Sequence, residues 1–390
     1  LVLGRVGAEV PPSSPLTTTS LFVNARLLIR FEPEATPADR ARLLARIGGR
    51  QVGSIDELGV AVVELADPLG GSKQLDSESL VASAEPDYVV RILEAPEPPQ
   101  LWTIYAPSVQ VSEDPRVAEQ WHHTVMRTAQ AWRFSRGAGM VIAVIDTGVQ
   151  CGLADLADRC VAGYDFVNGD DRADDDHGHG TDVASLAVAA AHNGVGGAGV
   201  APDAQVMPLK AMAANGYGSH ASIAAAVVWA VRHGARVINL SLGGYYDSAT
   251  LRGAVAYALA HQVVVVAAAG NDSIGMPTYP AAYPDVLGVA ATDRLDGHWL
   301  PSNFGDYVDV SAPGAGVATT TLAGWGASSG TSEATPLVSA VAALILSEGP
   351  TLSVAEVAER ITRSAADLGE PGWDPYFGFG RIDAGGAVTP

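Results

Sequence analysis

The sequence predicts an α/β protein with a doubly wound, mostly parallel sheet and helices on both faces, preceded by a small α+β unit. Three observations carry this reading. From residue 141 onward, short continuous apolar runs alternate with stretches of helical period, as buried parallel strands do. Before residue 93 the periodic segments follow the order β-α-β-β-α-β, which suits a ferredoxin-like sandwich. Pro96, Pro98, Pro99 and Pro107 then mark an exposed connection between the two units. A length of 390 residues fits two or three domains at roughly 150 residues each.

Residues 1–20, with Pro11-Pro12-Ser13-Ser14 and Thr17-Thr18-Thr19-Ser20, read as a flexible lead-in. The first unit is expected over 21–92. Apolar alternation predicts a strand over 25–31. Thr36-Pro37-Ala38-Asp39 is a helix start, with a cap, a first-turn proline and an acid three residues after the cap. That helix is expected to reach Ile47 and stop at Gly48-Gly49. Strands are predicted over 50–55 and 60–65, a short helix over 77–83 and a last strand over 88–92. A linker over 93–113 leads into the large unit, 114–390. There, apolar strands are expected over 141–145, 206–209, 237–240, 263–268 and 286–291. Helices are expected over 179–191, 221–233, 248–261, 332–347 and 354–364.

Composition excludes several classes. With 48 % apolar and only 17 % charged residues the chain is neither disordered nor fibrous. A net charge of −20 makes nucleic acid and anionic membranes poor partners. No apolar run reaches the length of a membrane span. The sequence begins at Leu1, and any secretory leader is expected to have been removed or to lie outside it. Cys151 and Cys160 alone make neither a disulfide scaffold nor a four-cysteine zinc site. One loop-closing bridge and two buried thiols both stay open.

Four segments stand at the ends of these elements. Asp146-Thr147-Gly148 places a carboxylate where a buried strand ends, the edge at which such sheets collect ligands. Asp176-His177-Gly178-His179-Gly180-Thr181 opens a helix with a base titrating near neutrality between glycines. Its neighbouring aspartates also admit a metal site, without third-ligand spacing to support it. Ser329-Gly330-Thr331-Ser332 begins a long apolar helix, where a serine is ordinarily a cap. Carboxylate, imidazole and hydroxyl together form an activated nucleophile. Ala269-Gly270-Asn271 presents a neutral amide at a strand end, a donor of the kind a tetrahedral oxyanion needs.

In these four motifs, in this order and context, the chain resembles the subtilisin-like serine proteases over roughly residues 114–387. The resemblance implies that Asp146 orients the imidazole, His179 acts as general base and then acid, Ser332 is the nucleophile and Asn271 completes the oxyanion hole. It implies peptide-binding edges at Gly216-Tyr217-Gly218 and Ser241-Leu242-Gly243, with Ala269 and Gly270 beside the substrate. Residues 24–92 resemble the family's inhibitory pro-domain, ending in Ala84-Glu85-Pro86-Asp87-Tyr88, with self-cleavage expected in the linker. A structural calcium ion is implied at Asp155, Asn193 and Asp114 with the carbonyls of Ala191, Val195 and Gly197. The expected partners are protein substrates and the chain's own pro-domain; a secreted monomer without organic cofactor is expected.

The chain departs from the family pattern at Asp182, Ser185, Glu333 and Leu337, where His, Gly, Met and His are usual. Glu333 is read either as a solvated carboxylate or as a charge acting on His179. Three alternatives compete. A Glu-based carboxyl protease is opposed by His179 and Asn271. A nucleotide site at Gly194-Val195-Gly196-Gly197-Ala198-Gly199 follows a helix and precedes a strand, the wrong order for phosphate binding. A non-catalytic or narrowly specific processing member of the same fold is opposed by the complete triad.

Overall fold

Alternation within single strands explains the architecture. In β5 (Val141–Asp146) Ile142 and Val144 enter one apolar core while Ala143 and Ile145 enter another, so every position before Asp146 is apolar. The computed structural model describes residues 22–93 and 111–389; the expected lead-in and most of the linker lie outside them.

The first unit is β1 (Phe22–Phe31), α1 (Pro37–Ile47), β2 (Arg50–Ile55), β3 (Val60–Glu64), α2 (Pro68–Leu75) and β4 (Val81–Ile92). Its antiparallel strands lie in the order β4-β1-β3-β2. Thr36 and Asp39 form the expected capping box, and α1 ends on Gly48 at φ 71°. Leu43, Leu44 and Ile47 of α1 pack with Leu27, Ile29 and Val63 of the sheet.

The helix expected over 77–83 is a correction. The second helix is α2, started by Asp67, whose carboxylate accepts from Gly70 N at 2.9 Å, and by Pro68 in its first turn. Gly70 and Gly71 masked it, since glycine is a poor helix former. Gly71 is there because a β-carbon would lie 2.2 Å from Leu65. Residues 81–92 are extended, with Ser83 and Ala84 opposite Arg30 and Ile29.

Two short helices, α3 (His122–Val125) and α4 (Thr128–Ala131), precede β5. There follow β6 (Tyr164–Asp165), α5 (His179–Val188), β7 (Gln205–Lys210), β8 (Tyr217–Ser219), α6 (His220–Arg232), β9 (Val237–Leu240) and β10 (Leu242–Gly243). Next come α7 (Ala249–Ala260), β11 (Val264–Ala268), β12 (Leu287–Thr292), β13 (Val310–Pro313), the hairpin β14 (Val317–Thr321) and β15 (Gly324–Ser328), α8 (Thr331–Glu348), α9 (Val354–Ser364) and α10 (Ala384–Val388). Seven strands form a parallel sheet in the order β13-β12-β11-β9-β5-β7-β6. Helices α5 and α8 cover one face and α6 and α7 the other. Helix α5 stops at Val188, earlier than expected, because residues 189–199 turn away into a loop. Cys151 and Cys160 are bonded, S–S 2.02 Å. Among the described residues no helix is long and apolar enough to cross a membrane.

Strand β4 joins the two units. Its Val89, Val90 and Arg91 pair antiparallel with Ser219, Gly218 and Tyr217, and on the other side Arg91 and Ile92 pair with Gly243 and Leu242. Two carboxylates of the same strand meet helix N-termini, where free N–H groups favour anions. Glu85 accepts from Ser248 Oγ at 2.8 Å and from Ala249 N and Thr250 N at 2.9 Å, at the start of α7. Asp87 accepts from Ala221 N at 2.9 Å at the start of α6 and pairs with Arg26 at 3.5 Å. Burial pushes the Asp87 carboxyl up; Arg26 and Ala221 N only partly offset it.

Candidate active site

The carboxyl end of β5 delivers Asp146, fully buried, and the first residue of α5 delivers His179, 5 % exposed. His179 Nδ1 stands 2.7 Å from Asp146 Oδ1. Thr147 N donates to the same oxygen at 2.7 Å, fixing the carboxylate against the ring. Beneath this pair Asp175 gathers Thr147 Oγ1, His177 N, Gly178 N and Thr181 N and Oγ1 at 2.6–3.0 Å. Burial works to raise the Asp175 carboxyl, but the hydrogen bonds from Thr181, Gly178 and His177 hold it below the usual range. Lys210 Nζ, also buried, donates to Thr147 O at 2.6 Å and Asp176 Oδ1 at 2.5 Å.

Ser332 is the second residue of α8, which lies against α5. Its hydroxyl stands 2.9 Å from the carbonyl oxygen of Leu93 and 3.1 Å from that of Ser241. Asn271, just past β11, has its amide orientation set by Thr331. Thr331 N and Oγ1 donate to Asn271 Oδ1 at 2.9 and 2.8 Å, leaving Nδ2 to donate to the Leu93 oxygen at 2.5 Å. One carbonyl oxygen, on the last described residue of the first unit, thus receives both Ser332 and Asn271. Gly330 borders the same oxygen: a β-carbon there would lie 3.0 Å from it and 2.8 Å from Asn271 Nδ2.

The expected peptide-binding edges flank this strand. Gly216 O accepts from Ile92 N at 2.9 Å, Tyr217 and Gly218 belong to β8, and Leu242 and Gly243 form β10. Ser241 is tied to Ser332: its hydroxyl donates to Ser332 O at 2.9 Å and its carbonyl oxygen accepts from Ser332 Oγ at 3.1 Å. Ala269 and Gly270 use their backbone N–H groups on Val289 and Thr331.

The residues named for calcium also converge. Asp114 accepts from His192 N at 2.6 Å and Gly194 N at 2.7 Å; Asp155 accepts from Asn193 Nδ2 at 2.9 Å and from Thr320 Oγ1. Asn193 Oδ1 accepts from Val195 N at 2.9 Å. The loop passes so close over Asp155 that a β-carbon on Gly196 would stand 2.0 Å from Oδ2. Among the described residues no group of three or more His, Cys, Asp or Glu is placed to hold a metal. Asp114, Asp155 and Asn193 bring carboxylate and amide oxygens to this loop, the oxygen chemistry that a hard cation takes. The glycine-rich segment 194–199 therefore wraps carboxylates and is unsuited to phosphate.

Glu333 corrects one expectation. It is 4 % exposed, not a solvated carboxylate lining an open cleft, because α8 begins inside the molecule. Ser185 and Leu337 are likewise buried. The sequence suggests Asp175 only as one of the aspartates admitting a metal site and Leu93 only as the start of the cleavable linker; the contacts each makes here were not foreseen. Asp175 has a local signal, an acid six residues before a threonine it bonds; for Leu93 the linker gives the neighbourhood, and only the docked strand picks out the residue at Ser332.

Comparison with known proteins gives a consistent picture. Residues 137–380 match the Subtilase family, and residues 9–87 match the fervidolysin N-terminal prodomain. The chain is 34 % identical to a thermophilic serine proteinase of Bacillus sp. (strain AK1) over 94 % of its own length and 88 % of the relative's. It is 39 % identical to thermitase of Thermoactinomyces vulgaris over 70 % of this chain and 96 % of that one. Among solved structures, fervidolysin from Fervidobacterium pennivorans, described as a keratinolytic enzyme related to subtilisin, superposes with a TM-score of 0.84 at 26 % identity. That match covers 98 % of this chain and 64 % of that one.

Proposed function

Because the chain belongs to the Subtilase family of serine endopeptidases, we propose that Ser332 Oγ attacks the carbonyl carbon of an extended protein substrate, forming an acyl-enzyme. In this reading His179 takes the hydroxyl proton as the C–O bond forms, then gives it to the departing amine as the C–N bond breaks. Asp146, hydrogen-bonded through Nδ1, holds the imidazole in the tautomer whose Nε2 lone pair can accept the proton. Asn271 Nδ2 donates to the oxygen as it becomes an oxyanion; its orientation by Thr331 means no reorganisation is needed at that moment. Water repeats the sequence on the acyl-enzyme.

The observation that carries this reading is the Leu93 carbonyl oxygen, 2.5 Å from Asn271 Nδ2 and 2.9 Å from Ser332 Oγ. Residues 88–93 lie where a substrate would, in a strand held by both cleft edges, which is recognition by strand addition. On this reading the Leu93–Glu94 bond is the one the chain cuts in itself, and residues 22–93 remain as an inhibitor held by β4, Glu85 and Asp87. The same reading takes the protein as a secreted monomer. It also assigns a calcium ion to Asp114, Asp155 and Asn193 with the carbonyls of Ala191, Val195 and Gly197. Bound there, calcium would cross-link the chain entry at residue 114 to the 190–197 loop, with no part in the chemistry.

A fluorophosphonate probe tests the nucleophile. The mature enzyme should lose activity as one equivalent attaches to Ser332, and Ser332→Ala should take up none. Full activity after exposure to excess probe would overturn the assignment.

A further inference from the structure

Counting back from Leu93, which places its carbonyl at Ser332, Ile92 is the second residue before the scissile bond and Arg91 the third. Arg91 is the single basic residue in the stretch 81–93. Its backbone pairs with both cleft edges, at Tyr217 and at Gly243, so its side chain has one way to leave the strand. Its guanidinium meets Asp272 Oδ2 at 2.5 Å. The Tyr245 hydroxyl donates to the same carboxylate. Asp272 follows Asn271 directly and its N–H donates to Asn303 Oδ1 at 2.9 Å, so its backbone is fixed with that of the oxyanion donor. Burial raises the Asp272 carboxyl, but the hydrogen bonds from Arg91 and Tyr245 outweigh it and leave the group charged near neutrality.

We propose that Asp272 and Tyr245 form a subsite of the mature enzyme that selects a basic side chain three residues before the scissile bond. The proposal rests on the endopeptidase reading above. Asp272 and Tyr245 belong to the catalytic unit and stay when the pro-domain leaves; Arg91 then departs with its strand, leaving an acidic site beside a bound peptide backbone. The preferred substrates are extended chains of the form apolar-basic-apolar-apolar ahead of the cleaved bond, like Val90-Arg91-Ile92-Leu93 itself. Both partners are partly solvated, at 44 % and 34 % side-chain exposure, so the selection is modest. An exposed, hydrogen-bonded pair corresponds to about a two- to fivefold preference.

The test compares peptides Val-X-Ile-Leu carrying a reporter amide, with X as Arg, Gln or Glu, on mature enzyme. The expected order of kcat/KM is Arg, Gln, Glu, with the Arg-to-Gln ratio falling toward one in high salt. In Asp272→Asn the ratio should collapse to about one, and in Tyr245→Phe it should fall part way. Calorimetric binding of the corresponding product peptides to mature protein should show the same order without any turnover. Equal kcat/KM and equal binding for Arg, Gln and Glu in the wild type would overturn the proposal. So would a preference that survives in Asp272→Asn, and so would an effect of Arg91→Gln on pro-domain inhibition with no effect of X in peptides. Cleavage of the Gln peptide reports separately on the endopeptidase reading.

Discussion

At Gly330 a β-carbon would stand 2.8 Å from Asn271 Nδ2, 3.0 Å from the Leu93 oxygen and 2.7 Å from Glu333 Oε2. Real β-carbons do not tolerate two contacts below 3.0 Å, so an added methyl pushes the amide or the acyl oxygen out of register. Gly330→Ala should therefore lower kcat/KM by roughly a hundred- to a thousandfold, the loss caused by removing an oxyanion donor, a magnitude taken from a subtilisin. Thermal stability should change little. Activity within threefold of wild type would show that the oxygen has another place to sit. At this scale Asp146, His179, Asn271 and Ser332 were legible as candidates, because they stand in motifs whose residue types admit few other uses together. Asp272 was silent, because an aspartate after an asparagine acquires meaning only through a strand that docks from another unit; Leu93 was legible only as the first residue of the linker in which self-cleavage is expected.

The elements that hold the site were legible where a local signal and the tertiary packing agree. Helix α1 has its capping box and glycine stop, and α9 its Ser353–Glu356 box, and both lie where their caps put them. Helix α2 was missed because Gly70 makes room for the Asp67 cap and Gly71 for Leu65, at the expense of propensity. The 189–199 loop is the element with most at stake for stability. Two buried carboxylates hold it: Asp114 accepts from its backbone at His192 and Gly194, and Asp155 from its Asn193 side chain. A calcium ion bound there should stabilise the folded chain by about 2.7 kcal/mol at a hundredfold excess over its dissociation constant, a Tm gain of about 5 °C for a unit of this size. Chelator should remove that gain, and Asp155→Ala should be insensitive to calcium. A wild-type Tm indifferent to chelator would remove calcium from the account.

Across the whole molecule, burial of ionisable groups sets a pH response. His122, His123 and His220 are at most 1 % exposed. Burial holds His122 well below its ordinary value, His123 at about 4 and His220 at about 3. The unfolded chain binds protons on these rings from about pH 6.5 downward, the folded chain does not, so stability falls as pH falls between about 6.5 and 4. Each ring costs about 1.4 kcal/mol per pH unit. Asp309, pushed up to about 6 by burial, and Asp87, raised by burial, act in the opposite sense because the folded chain protonates them first. The buried imidazoles outnumber the two carboxylates, so the balance is a loss of stability as pH falls. Full-length Ser332→Ala, which should not digest itself, should show Tm falling steadily from pH 6.5 to 4.5. A flat or rising Tm would contradict it. The central claim, that Ser332 and Asn271 act on the carbonyl of Leu93, is tested most directly by intact-mass measurement of purified wild-type and Ser332→Ala protein free of other proteases. The account predicts that the wild type loses residues 1–93 and gains a new N-terminus at Glu94, while Ser332→Ala remains full length. A wild-type terminus elsewhere, or equal processing of Ser332→Ala, would contradict it.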